Sequence, residues 1–204
     1  MTKRLFDIVF SFLGLVALFP LFVLIIILMK LDSKGPVFYK GERIGRDGKP
    51  FKMYKFRTMY ADADRMGDSP SCADDDTRIT RLGAFLRKYK LNEIPQLINV
   101  LNGEMSFVGP RPEVPSEVET YSEEERRILT VKPGITDYAS IAFHNEGEIL
   151  KGSSDPHQAY REKIKPGKLR LALKYVDESS FWVDLKILLG TFLTLVRTRS
   201  PGNK

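Results

Sequence analysis

The chain has 204 residues, is 43% hydrophobic and 28% charged, and carries a formal net charge of +6. That length holds one compact domain with an appendage, and the composition excludes both a disordered chain and a multi-span membrane protein. The basic balance suits an anionic partner (nucleic acid, acidic lipid or a phosphorylated substrate), while a single cysteine, Cys72, and two histidines, His144 and His157, exclude an internal disulfide and speak against structural zinc.

From Ile8 to Met29 there is no charged residue, a run long enough to cross a hydrocarbon core of about 30 Å. It ends in Ile-Leu-Met-Lys rather than in the small residues of a leader cleavage site. Pro20 sits mid-run, where it lacks an N–H and its ring crowds the Val16 carbonyl. Lys3 and Arg4 before the run, and Lys30 and Lys34 after it, fit two ends on one membrane face better than a crossing. Residues 1–34 therefore read as a re-entrant membrane helix kinked at Pro20, with a straight span as the alternative. Residues 35–204 read as an α+β domain at the membrane interface, mostly helical with one short β-hairpin.

Along that domain, Pro36 to Tyr39 and Phe51 to Phe56 read as strands joined by an Arg46-Asp-Gly-Lys turn. Ala61 to Arg78 reads as a polar loop, and its run Asp74-Asp75-Asp76 as a solvated acidic stretch rather than a metal site. Leu82 to Tyr89 reads as a helix. Leu91, Ile94, Leu97, Ile98 and Leu101 have the spacing of a second one. Pro95 fixes its first turn and Asn92 suits its N-cap, so Asn92 and Glu93 would stand at a positive helix end that favours phosphate. Glu113 to Leu129 reads as a charged, exposed helix, Leu169 to Val176 as another. Phe181 to Val196, apolar but for Asp184 and Lys186, suits either a helix lying at a membrane interface or an ordinary core helix.

Three features converge on phosphate. Arg87 lies just before the Asn92-Glu93 helix start, Arg111 is stiffened between Pro110 and Pro112, and Lys55 and Arg57 are two apart on a strand and so share one face. Arginine forks match phosphate oxygens. Nucleic acid is a poor alternative: no reader motif is present and the acidic residues are interleaved with the basic ones.

Several blocks resemble the bacterial sugar transferase family, the small monotopic phosphoglycosyl transferases. They are Lys3-Arg4-Leu5-Phe6-Asp7 before the apolar run; Gly35-Pro36-Val37-Phe38 with Glu42-Arg43-Ile44-Gly45; Phe51 to Met59; Arg78 to Gly83; Leu91-Asn92-Glu93-Ile94-Pro95-Gln96 through Gly103-Glu104-Met105-Ser106-Phe107-Val108-Gly109-Pro110-Arg111-Pro112; and Pro133-Gly134-Ile135-Thr136. The resemblance implies a helix re-entrant at Pro20 and an enzyme on the cytoplasmic face of a bacterial inner membrane. It implies transfer of a sugar-1-phosphate from a UDP-sugar to undecaprenyl phosphate, with UMP released through a covalent phospho-sugar intermediate. Such a step opens the assembly of a capsule, lipopolysaccharide or glycoprotein glycan. The catalytic position is Asn92-Glu93, which would also hold Mg2+; Arg87, Arg111, Lys55, Arg57 and Gln96 would hold the substrate phosphates. Membrane lipid is a partner, nucleic acid is not, and a homodimer is compatible with the reading.

One departure bears on chemistry. The family's aspartate position is Asn92 here, and an amide is a weak nucleophile and a weak magnesium ligand. Four explanations stand: an Asp-to-Asn change made to block turnover; a subgroup in which Glu93 is the nucleophile; a member that binds donor without chemistry, as a membrane-bound UDP-sugar binding or scaffold protein; or Asn92 as a helix cap, with a carboxylate reaching in from Asp74 to Asp76. Asp137-Tyr138, where relatives often carry glycine, bears on sugar preference.

Overall fold

The structure, a computed structural model, describes residues 2–63, 76–153 and 155–197. Cys72, Asp74 and Asp75, and so most of the acidic run, lie outside the described residues.

Helix α1 (Thr2–Asp32) is unbroken through Pro20, so the expected kink is not visible as an interruption of the helix. The proline still leaves the Val16 carbonyl without its usual donor. Among the described residues α1 is the one helix long and apolar enough to cross a membrane. Its buried residues are Asp7, Ser11, Ile25 and Met29, spaced to lie along one stripe. Most of its large apolar side chains, such as Phe12, Val16, Phe19 and Leu24, are exposed.

Both ends of α1 are fastened to the rest of the chain. Near the start, Lys3 Nζ donates to Val108 O (2.8 Å), Tyr175 Oη (2.8 Å) and Asp184 Oδ2 (2.6 Å). Arg4 donates to the Val100 and Leu101 carbonyls, and Asp7 Oδ1 accepts from Ser106 Oγ and the Phe107 N–H. Near its end, Ile25 and Met29 pack with Phe56 and Leu86.

Strands β1 (Phe38–Ile44) and β2 (Pro50–Phe56) form the expected antiparallel hairpin. The turn places Asp47 and Gly48 at positive φ (59° and 72°), which Asp tolerates and Gly adopts freely. Alternation then assigns the faces. Phe38 and Phe56 face α1; Phe51 and Met53 meet Val100 and Met105; Tyr39 pairs across from Lys55 on the second face.

Helix α2 (Arg81–Lys88) is capped by Thr80, whose Oγ1 accepts from the Gly83 N–H at 2.9 Å. The next helix differs from its sequence reading. Leu91–Glu93 is a 3-10 turn, and α3 (Gln96–Asn102) begins only after Pro95, which stands at its N-cap. Asn92 therefore does not cap α3. Pro95 has no N–H to continue a ladder from the preceding turn, and seven residues leave α3 a weak macrodipole.

Strands β3 (Ser106–Val108) and β4 (Gly134–Thr136) pair in parallel. Their pairing demands glycine at two points: a Cβ on Gly109 would lie 2.2 Å from Lys132 O, and one on Gly134 2.1 Å from Gly109 N.

The expected exposed helix over Glu113 to Leu129 is instead a short α4 (Pro115–Val118) followed by a 3-10 segment, Glu125–Thr130. Glu117, Val118, Tyr121 and Ile128 are buried. Helices α5 (Tyr138–Ala142), α6 (Glu146–Leu150) and α7 (Pro156–Lys163) follow, none of them read from sequence. Helices α8 (Lys165–Glu178) and α9 (Phe181–Arg197) are close to expectation. Tyr175 of α8 and Ile187 of α9 pack on Val108 and close the domain.

Candidate functional site

The site forms where β2, the turn after α2 and the segment after β3 meet. Lys90 adopts the left-handed conformation (φ 57°) and delivers the 3-10 turn, putting Asn92 and Glu93 inside. Lys55 comes from the second face of the hairpin. Arg111 follows β3 between two prolines, and its N–H donates to Asp137 Oδ2 at 3.3 Å. Asp137, buried, also caps α5 by accepting from the Ser140 N–H and Oγ.

These elements converge on the Glu93 carboxylate. Oε1 accepts from Arg111 Nη2 at 2.6 Å and from Lys55 Nζ at 3.0 Å; Oε2 accepts from Arg111 Nη1 at 3.4 Å. Burial alone would raise the Glu93 pKa, but Arg111 and Lys55 override it and hold the carboxyl well below the usual range. Glu93 in turn raises the Arg111 guanidinium. Burial dominates at Lys55, whose ammonium is pulled down to about 8.

Beside this ion triad lie two orphans. Asn92 is 8% exposed and Gln96 1%, yet Asn92 Oδ1 and Gln96 Nε2 have no hydrogen-bond partner. Buried polar atoms are nearly always paired, so one free acceptor and one free donor beside a charged cluster are what a polar ligand would complete. Among the described residues no three His, Cys, Asp or Glu side chains stand together as a metal site. Asn92 and Glu93, neighbours in the chain, are the two residues here that could hold an ion such as Mg2+, which usually keeps water and substrate phosphates as most of its ligands.

Lys55, Glu93 and Arg111 are thus brought together, with Asn92 and Gln96 adjoining in the chain. Arg57 does not join them. Strand β2 ends at Phe56, and the Arg57 guanidinium bonds Pro36 O (2.7 Å), Met59 O (3.1 Å) and Ser33, tying the exit of α1 to the hairpin. Arg87 stands in the last turn of α2, close enough to Lys90 to act on it electrostatically.

A sequence model described as "Bacterial sugar transferase" matches residues 1–198. The chain belongs to the bacterial sugar transferase family. It is 37% identical, over 96% of its length, to an undecaprenyl-phosphate glucose phosphotransferase of Komagataeibacter xylinus, and covers 35% of that protein. It is 37% identical, over 96% of its length, to the UDP-glucose:undecaprenyl-phosphate glucose-1-phosphate transferase of Escherichia coli K12, covering 39% of it. An uncharacterized sugar transferase, EpsL, of Bacillus subtilis is 38% identical over 93% of the chain and 84% of its own length. The chain therefore spans little more than a third of the two longer relatives and most of the third.

For this family member, sequence reading passed over three residues that border the site. Asp137 reads in the sequence as a departure bearing on sugar preference; the structure adds that it accepts from the Arg111 N–H. Tyr39 and Arg43 lie on the Lys55 face of the hairpin, which the register alone would have revealed.

Proposed function

We propose that this chain transfers a sugar-1-phosphate from a UDP-sugar to undecaprenyl phosphate and releases UMP through a covalent phospho-sugar intermediate. The observation that carries the reading is the largely buried Glu93 side chain, shared by Lys55 and Arg111, with the unpaired Asn92 oxygen next to it in the chain. An arriving diphosphate competes for the same two cations. It takes their charge and frees the carboxylate beside the β-phosphorus. A Glu93 oxygen then attacks that phosphorus, the bond to the bridging oxygen breaks, and UMP leaves with that electron pair. An oxygen of undecaprenyl phosphate next attacks the enzyme-bound phosphorus and returns the Glu93 carboxylate. Splitting one displacement into two is the gain of covalent catalysis, and fixed cations stabilise the spreading phosphoryl charge. Glu93 and Asn92 are the residues that would hold Mg2+, which when bound neutralises the diphosphate.

The membrane placement rests on α1. Its apolar face is exposed, its two ends are fastened to one domain, and cationic residues flank both ends. We assign a re-entrant insertion with residues 35–204 on the cytoplasmic face of the inner membrane. One observation favours a second reading, a membrane-bound UDP-sugar binding protein without turnover: an amide stands at position 92.

The test is UMP release from a panel of UDP-sugars, with Mg2+ and undecaprenyl phosphate, by the chain and its Asn92→Asp and Glu93→Gln variants. Release by the chain, abolished in Glu93→Gln, is expected. Release by Asn92→Asp alone would leave the chain a binder that has lost its nucleophile. No release from any of the three would overturn the transferase reading.

A further inference from the structure

The hairpin carries an aromatic surface that the triad does not use. Tyr39 sits on β1 directly opposite Lys55 and is 51% exposed. Its ring lies down along the strand over Gly41: a Cβ there would stand 2.7 Å from Tyr39 Cε1 and 2.9 Å from its hydroxyl. The residue that permits this posture is therefore Gly41, itself buried. The ring packs close over the glycine while about half of the residue stays open to solvent. Two residues along the same face, Arg43 is half-buried, donates to the Glu42 carbonyl at 2.7 Å and lies within electrostatic reach of both the Tyr39 hydroxyl and Arg111. A half-exposed aromatic ring thus adjoins a cluster of cations, Lys55 directly across the hairpin and Arg43 and Arg111 within electrostatic reach of it.

We propose that Tyr39 is the platform on which the nucleobase of the donor stacks, beside the cations Arg43, Lys55 and Arg111 that hold its phosphates. The assignment rests on the nucleotide-sugar reading of the site. Stacking on an aromatic ring suits a base because every base has a π-face, and a ring already laid flat is preorganised for it. A charged diphosphate has nothing to gain from that ring, so base and phosphate recognition separate along the hairpin.

The experiment is calorimetric binding of UMP and of inorganic pyrophosphate to the full chain in detergent micelles at pH 7, with Tyr39→Ala, Tyr39→Phe and Gly41→Ala. UMP affinity is expected to fall about tenfold or more in Tyr39→Ala and to persist in Tyr39→Phe. It should fall in Gly41→Ala, where the ring is present but lifted. Pyrophosphate affinity should hold in all three. Undiminished UMP binding by Tyr39→Ala overturns the base platform and leaves the transferase reading intact. Equal loss of UMP and pyrophosphate overturns it too, because that is the signature of a disturbed hairpin. Failure of the parent chain to bind UMP overturns the platform together with the donor reading on which it rests.

Discussion

Burial pulls the Lys55 ammonium from its ordinary 10.5 to about 8, with Glu93 opposing the shift and Arg111 adding to it. The sign has two consequences. A lysine that loses its proton more readily in the folded chain costs stability while charged; that cost is present below about pH 8 and relieved as pH climbs towards 10.5. Phosphate binding needs the ammonium and runs the other way. UMP affinity is therefore expected to fall by up to about tenfold per pH unit above about pH 8, and Lys55→Arg, which keeps its charge, should remove that decline. Calorimetric titrations from pH 7 to 9.5 read it directly, and a flat parent profile would mean that Lys55 holds no phosphate. Glu93 adds no limb in this range, since its carboxyl stays ionised far below it.

Helices α4, α7 and α8 are joined by one carboxylate. Glu117 is buried, accepts from Arg161 at 2.6 Å and from Lys165, and has His157 Nε2 at 3.6 Å. Removing its charge strands cations that are partly solvated, so the cost should fall below that of breaking a fully buried pair. Glu117→Gln is expected to destabilise the fold by about 2–3 kcal/mol, read by chemical denaturation; a change below about 0.5 kcal/mol would mean that solvent already screens the cluster. The same residue explains why this stretch was illegible in sequence. Glu113 to Leu129 looks like a solvated helix because its charges are counted locally, whereas the partners of Glu117 lie 44 and 48 residues further on. The hairpin, α2, α8 and α9 were legible because alternation, capping and helical spacing are local signals. The meeting of Lys55 and Arg111 was half legible: proline stiffness and the Asn92-Glu93 pair marked the site, but Arg57 lies beyond the end of β2 and its guanidinium is held by Ser33, Pro36 and Met59. Where α3 begins depended on Pro95, which separates a 3-10 turn from the helix that a periodic reading runs together.

The apolar surface of the whole molecule is concentrated on α1 and α9. On α9, Trp182, Leu185, Leu189 and Phe192 are exposed, while Asp184 turns inward to Lys3 and Tyr175. Trp182, the one tryptophan in the chain and 71% exposed, is expected at headgroup depth if α9 lies at the membrane interface. In bilayers containing lipids brominated near the headgroup, its fluorescence is expected to be strongly quenched; emission unaffected by the bromines would put α9 in water. The fastening of α1 by Lys3 and Arg4 also orders events in time. This helix is made before its partners: Val100, Val108 and Asp184, which receive its charged end, follow 96, 105 and 181 residues later. Until they arrive, lipid is the surface that can shelter its apolar side chains. On the re-entrant reading proposed above, insertion precedes folding during synthesis, and the nascent domain would assemble against a helix already in the bilayer.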